Sequence, residues 1–286
     1  MRQIAKSITV GAIAAVFLFM VPIFSAGAQP TDIRIVAPYA GFVTSVYERE
    51  SANGDIRLKD TDLMLGLYAQ WIRPGKFQAN AFLYHAPDVN YASLWGLHTN
   101  VDFYFALGEI ENLVIGGGVQ FLMIDIDAGD NIVSVSPMGT EVNLQDFTLR
   151  TSVVAPYLRT GRQVPFGDAR TNVVIFPWVG GEVNFVGGDV SFGLPFPPPG
   201  TTIDESIDDI DLYALAGINV RANLWRFLQI DAKYSAAFDP YTFLPRASIM
   251  TNVFFTRNLG VSYRFSAMES SAGSTVYHIF GVAGAF

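Results

Sequence analysis

A two-residue alternation of apolar and milder side chains, clearest over residues 63–84, constrains the fold more than any other feature of the chain. From Leu63 to Trp71 one parity is apolar throughout, and the other parity carries Met64, Gly66, Tyr68 and Gln70. After the sequence RPGK at 73–76, the pattern resumes from Phe77 to Tyr84. Successive side chains of a β-strand point to opposite faces, so the segment predicts a hairpin with one apolar and one mildly polar face.

The same alternation recurs along most of the chain, in segments separated by turns. We predict twelve strands, with ten or fourteen as alternatives, at 37–48, 62–72, 77–85, 95–107, 113–124, 149–159, 171–186, 211–223, 227–237, 248–255, 259–266 and 275–286. Short connections at 73–76, 108–112, 223–226 and 256–258 alternate with longer ones, among them 125–148, 187–210 and 238–247. Segments of about ten residues with this pattern are typical of a transmembrane, antiparallel, up-and-down β-barrel.

A soluble barrel of the lipocalin kind alternates in the same way, but its outer face is wet and rich in charge. Only 15% of the residues here are charged, against about 25% in an ordinary soluble domain. The milder face carries Gln, Asn, Gly, Tyr and Ser with a few charges of both signs. We therefore expect the apolar face to contact lipid and the milder face to line the interior.

The first thirty residues have the features of an export signal. Arg2 and Lys6 precede an apolar run from about Ile8 to Phe24, and a small-x-small sequence ends at Ala28. This order predicts a signal peptide at 1–28 and a barrel domain at 29–286. A permanent N-terminal membrane helix is the alternative. The charge of −8 argues against nucleic acid as a partner, and the lack of cysteine excludes disulfides and zinc–thiolate sites.

The final segment, VYHIFGVAGAF, ends on Phe286 in the same parity as Phe280 and Val282. It resembles the C-terminal sorting signal of Gram-negative outer-membrane β-barrel proteins, in which a terminal Phe closes an amphipathic last strand. The resemblance extends to the signal peptide and the strand pattern. It implies location in the outer membrane after signal-peptide cleavage and insertion by the outer-membrane assembly machinery, with outer-membrane lipid and lipopolysaccharide as further partners.

The predicted interior carries charges of both signs. We expect the lining of a pore to include His98, Asn100, Asp102, Asn219, Arg221, Asp231 and Lys233. Asp62, Glu182, Asp211 and Arg264 share the inward parity, whereas basic residues including Arg159 are assigned to the short-turn rim. Such charges either bias solute choice across an open pore or pair across the lumen and plug it. Both alternatives are consistent with a barrel of about twelve strands.

His98, Asn100 and Asp102 also suggest an enzymatic alternative, a lipid hydrolase or acyltransferase on the barrel wall. A hydrolase of this kind needs a nucleophile within hydrogen-bond reach of the base, and no spacing specifies one. We therefore predict no enzymatic activity, no cofactor and no bound metal. The predicted function is a narrow porin-like channel for small solutes, and a non-conducting barrel whose acidic loops bind a partner or lipopolysaccharide is the rival.

Overall fold

The computed structural model describes residues 32–49, 55–73, 75–87, 92–129, 132–135, 141–168, 171–193, 202–225, 227–270 and 273–285. The predicted signal peptide at 1–28, Phe286 and most of the proline-rich segment near 193–202 lie outside these ranges. The strands are β1 (Ile33–Arg49), β2 (Asp55–Arg73), β3 (Phe77–Ala86), β4 (Ala92–Leu107), β5 (Ile110–Gly129), β6 (Ile132–Val135), β7 (Glu141–Arg162), β8 (Val164–Gly167), β9 (Thr171–Gly193), β10 (Thr202–Leu224), β11 (Leu228–Phe238), β12 (Phe243–Phe254), β13 (Leu259–Ser270) and β14 (Gly273–Ala285).

Twelve of these strands form one closed antiparallel wall, in which each strand pairs with the wall strand before and after it. Closure is made by β1 and β14, which pair from Ile35–Ala285 to Tyr47–Gly273. The short strands β6 and β8 extend hairpins at the two rims and take no part in the closed ring. The predicted barrel of twelve antiparallel strands is confirmed, and closure leaves no open sheet edge that would need hydrogen bonds from water.

Most strands are longer than the alternation predicts, and the largest extensions lie at the rim opposite the short turns. The predicted loops at 125–148 and 187–210 were too long, because β5, β7, β9 and β10 extend into them. β9 and β10 have 23 residues each and remain paired as far as Gly193 and Thr202. A membrane crossing needs only about 9–11 residues, so this hairpin continues well beyond the lipid. The extension carries exposed acidic residues, and its sequence lacks the apolar face that marks a lipid-facing strand.

Proline at position 156 does not interrupt its strand. β7 continues through Pro156, which stands opposite Val119 of β5. On the other side, pairing with β9 lapses between Val154 and Tyr157. Proline has no backbone N–H to donate to a ladder, which explains why the lapse falls on one side only.

The apolar parity of each strand faces outward. Leu65 is 50% exposed, whereas the next inward residue, Met64, is 0% exposed. Phe103, Val179 and Phe280 are likewise exposed on the outer surface. A continuous apolar outer surface of this kind suits acyl chains and not water. Within the described ranges, no helix has the length and apolar character needed to cross a membrane.

The interior is divided into two regions along the barrel axis. Toward the long-loop rim, inward residues of β5, β7 and β9 form an apolar cluster that includes Ile124, Leu149 and Val190. Phe147 and Phe192 meet there with ring centroids 6.4 Å apart. The middle of the barrel and the short-turn end combine further apolar and aromatic side chains with polar and charged ones. These polar side chains form the candidate site.

Candidate functional site

All seven residues predicted to line a pore point into the barrel. His98, Asn100 and Asp102 lie on β4, Asn219 and Arg221 on β10, and Asp231 and Lys233 on β11. Asn100, Asp102 and Asp231 are buried, and the remaining four border the interior cavities. The alternation of the strands places them there, because residues two apart lie on one face.

The first cluster is an ion pair between β4 and β7. Arg159 donates from Nε and Nη2 to the two carboxylate oxygens of Asp102, at 3.1 and 2.7 Å. Asn100 Nδ2 donates to Asp102 at 2.8 Å, and Tyr157 Oη donates to Asn100 at 2.9 Å. The assignment of Arg159 to the short-turn rim was therefore wrong. Arg159 is two residues from Tyr157 in the predicted strand 149–159, so the alternation already indicated that its side chain faces inward.

A glycine makes this ion pair possible. Gly116 of β5 stands directly between Asp102 and Arg159 in the strand register. A Cβ atom on Gly116 would lie 2.0 Å from Asp102 Oδ1. The carboxylate thus lies across the glycine to reach the guanidinium two strands away.

The second cluster connects opposite walls of the barrel. Arg221 and Asp231 are register partners on β10 and β11, and Nη2 of Arg221 lies 2.9 Å from Asp231 Oδ2. Nη1 of the same arginine donates across the interior to Gln78 of β3 at 2.6 Å. Lys233 Nζ lies 3.7 Å from Asp231 Oδ1, a longer ion pair. The bond from Arg221 to Gln78 narrows the lumen because it joins two strands that face each other across the barrel interior.

The third cluster joins β9 to β12. Arg246 donates from Nη1 and Nη2 to the two oxygens of Glu182, each at 2.6 Å. Sequence reasoning placed Arg246 in the loop 238–247, but β12 already begins at Phe243. Glu182 and Arg246 are not on adjacent strands, and only the closed barrel brings them together.

Arg264 of β13 lies among aromatic rings. Its guanidinium carbon lies 4.1 Å from the ring centroid of Phe82 and 5.4 Å from that of Tyr68, with Tyr277 at 6.0 Å. Among the residues that the structure describes, no carboxylate is close enough to form an ion pair with this arginine. Contact with ring faces stabilises its charge instead.

Within the part of the chain that the structure describes, three cavities follow one another through the interior. The central cavity has a volume of about 120 Å³, and smaller ones of about 20 and 40 Å³ lie toward the short-turn and long-loop rims. The central and short-turn cavities share Asn80, Arg159, Asn219 and Lys233 as lining residues. The central and long-loop cavities share His98, Gln120, Arg246 and Met268. The cavities therefore adjoin, and the ion pairs lie between them.

His98, Asn100 and Asp102, the residues of the enzymatic alternative, do not form one hydrogen-bonded group in the structure. His98 Nε2 lies 3.3 Å from Tyr84 Oη, whereas Asn100 and Asp102 bond to each other. Among the described residues, no three His, Asp or Glu side chains are grouped closely enough to hold a metal ion. The lack of enzymatic activity stays a prediction.

Comparison with known proteins supports the fold. The translocator domain of autotransporter NalP from Neisseria meningitidis aligns over 97% of this chain and 98% of its own, with 15% identity and a TM-score of 0.54. The transport unit of AIDA-I from Escherichia coli aligns over 96% and 98%, with 10% identity and a TM-score of 0.40. The KdgM porin, solved with disordered oligogalacturonate, aligns over 88% and 99%, with 8% identity and a TM-score of 0.40.

No protein-family model matches the chain, and no curated protein matches it. The similarity to NalP, at this level of identity, establishes a shared architecture. The chain has the fold of a Gram-negative outer-membrane β-barrel.

Proposed function

We propose that the protein is a narrow porin-like channel for the passive passage of small solutes. The row of three adjoining cavities through the barrel interior is the observation that supports this function most directly; the central and short-turn cavities have polar linings, and the long-loop cavity is mostly apolar. Seven of the eight side chains that neighbouring cavities share are polar, so a passage here would be wet. The central volume of about 120 Å³ has room for several waters, since a cavity holds one water in about 10–15 Å³ of such volume.

Ion pairs are the constrictions of this passage. The pair of Arg159 with Asp102 and the pair of Arg221 with Asp231 border the short-turn cavity, and Arg246 with Glu182 borders the long-loop cavity. Arginine and carboxylate side chains are long and change rotamer without moving the wall. Small displacements at these pairs would therefore connect neighbouring cavities.

Planar-bilayer recording of the refolded mature chain tests the proposal. We expect discrete conductance steps of small amplitude, because the bore is narrow. The fold of each sample is checked by its heat-dependent mobility on a gel. A correctly folded barrel that conducts no current would overturn the channel function and favour a surface-binding barrel.

Removal of one constriction should raise the conductance. In the double variant Asp102→Ala with Arg159→Ala, both charges disappear, so neither is left buried and unpaired. We expect single-channel conductance to rise by about two-fold or more, because two large side chains leave the lumen. The matched control removes Asp125 and Arg150, an ion pair at 2.7 Å outside the lumen, and should leave conductance unchanged.

Export and outer-membrane location form a second part of the proposal. The order of the N-terminal segments supports cleavage after Ala28, and the apolar outer surface supports residence in a bilayer. Mass spectrometry of the chain from isolated outer membranes should give an N-terminus at Gln29. A chain that keeps residues 1–28 in the inner-membrane fraction contradicts this.

The surface-binding rival has one observation in its favour, the paired extension of β9 and β10 with exposed Asp204, Asp208 and Asp209. Carboxylates there would bind divalent cations that bridge to lipopolysaccharide phosphates. Under that function, chelation of divalent cations should lower the unfolding temperature in native membranes. Unchanged heat stability after chelation would count against it.

A further inference from the structure

The charges around the central cavity are all of one sign. Its lining includes the cationic side chains of Arg159, Lys233, Arg246 and Arg264, and none of the described Asp or Glu residues borders it. The paired carboxylates lie elsewhere: Asp102 and Asp231 border the short-turn cavity, and Glu182 borders the long-loop cavity. From this separation we infer that the central cavity is a binding site for a small anion.

Two of the four cations are weakly neutralised within the described part of the chain. Arg264 is surrounded by aromatic rings, and Lys233 is 3.7 Å from its nearest carboxylate oxygen. Arg159 and Arg246 use one edge of each guanidinium for their carboxylates. Because unit charges interact more strongly in a protein interior than in water, an anion at the centre of this group gains attraction from several directions.

Unused hydrogen-bond donors border the same cavity. Arg264 Nε and Asn80 Nδ2 are buried and have no hydrogen-bond partner among the described residues. Buried polar groups in native proteins are almost always bonded, so orphaned donors point to a missing acceptor. An anion accepts from both donors. The hydroxyls of Ser235, Ser248 and Ser266 complete a lining of neutral donors around the cations.

Size limits the ligand to a small inorganic or carboxylate anion. The cavity volume of about 120 Å³ fits a halide with a few waters or one compact oxyanion, and excludes a folded peptide or a sugar chain. The further step, that small anions are the solutes of a channel, rests on the proposed function. The site itself requires only the closed barrel, so binding and conduction are tested separately.

Iodide quenching of Trp178 tests the site. The indole of Trp178 borders the cavity and donates from Nε1 to Asn219 at 3.1 Å. In the triple variant Trp71→Phe, Trp95→Phe and Trp225→Phe, Trp178 is the sole tryptophan. We expect iodide to quench its fluorescence saturably in detergent, chloride to compete, and caesium to have little effect. Quenching that is linear in iodide, or equal for iodide and caesium, would overturn the site.

Charge-removing variants give the residue-level test in the same background. Arg264→Gln combined with Lys233→Gln should weaken iodide binding by about ten-fold or more, because two of four cations are lost. Arg264→Lys should retain most of it. The control Arg150→Gln removes a cation outside the lumen and should change nothing. Equal affinity in the double variant and the control would contradict the inference.

A calorimetric titration of the unaltered sequence keeps the inference testable if a variant fails to fold. Sodium iodide is added at constant ionic strength set by sodium gluconate, whose anion is bulkier and more strongly hydrated than iodide. Saturable heat supports the site, and heat of dilution alone overturns it. Saturable iodide binding by a barrel that conducts no current would refute the channel function but support the anion site. Conduction without saturable iodide binding would support the channel function and refute the anion site.

Discussion

Glycines decide which large side chains the interior can hold. Gly116 lets Asp102 cross to Arg159, and Gly217 lies beneath the ring of Trp178, where a Cβ would come within 2.5 Å of the indole. In each case the neighbouring strand contributes a side chain that lies flat against the wall. These positions are therefore parts of the polar network although they have no polar side chain themselves.

The variant Gly116→Ala tests this role. The added methyl would displace the Asp102 carboxylate and break its bidentate contact with Arg159. We expect a loss of about 1–3 kcal/mol in unfolding free energy, as for other overpacked interior sites. Urea unfolding in detergent micelles measures it. Gly187→Ala is the matched control, because a Cβ there meets nothing within 4 Å; equal effects of the two substitutions would contradict the role of Gly116.

At the scale of elements, the ends of β1 and β2 are joined at the short-turn rim. Asp32, just before β1, accepts hydrogen bonds from Arg73 Nε at 2.9 Å and Nη2 at 2.8 Å, and from Trp71 Nε1 at 3.2 Å. The bond from Arg73 lowers the pKa of Asp32 below its ordinary value of 3.8. This contact fixes the first strand of the wall to the second.

Stability from this contact should depend on pH. Because the folded pKa is lowered, the contribution is complete above the ordinary value of 3.8 and is lost as pH falls through the folded pKa. We expect Asp32→Asn to lower the unfolding temperature at pH 6, with the difference from wild type disappearing well below pH 3.8. Heat-dependent gel mobility across pH measures it. Glu109→Gln, which removes an exposed carboxylate at the same rim, should show no such pH-dependent difference.

The alternation predicted the membrane-crossing part of each strand and its inward face, because lipid on one side imposes apolar residues there. It did not predict the extension of β9 and β10, because beyond the lipid the outward residues are no longer apolar, and the apolar residues Val190 and Phe192 face inward instead. Nor did it predict that Glu182 meets Arg246 or that Arg221 meets Gln78. Those pairs join non-adjacent strands, so they depend on the curvature and registers of the closed ring.

At the scale of the whole molecule, the belt of apolar side chains on the outer surface determines that the barrel is stable in lipid and not in water. Val179 is 58% exposed on the outer surface and pairs with Thr160 and Ala216 in the middle of the belt. Val179→Arg places a charge against acyl chains, which costs about 2–4 kcal/mol near the midplane. Unfolding free energy in lipid vesicles should fall by that amount. Ser206→Arg, on the exposed extension of β10, is the control and should have little effect.

The pairing of interior charges between distant strands has a consequence for how the protein is made. A lone β10 carries Arg221 into the bilayer, and a lone β4 carries Asp102, at a cost of about 2.5–3.5 kcal/mol for each ionised group near the centre of the membrane. Their partners Asp231 and Arg159 arrive on other strands. Insertion strand by strand is therefore unfavourable, and we expect groups of paired strands, at least the β10–β11 hairpin and the set β4, β5 and β7, to assemble before their charged residues leave water.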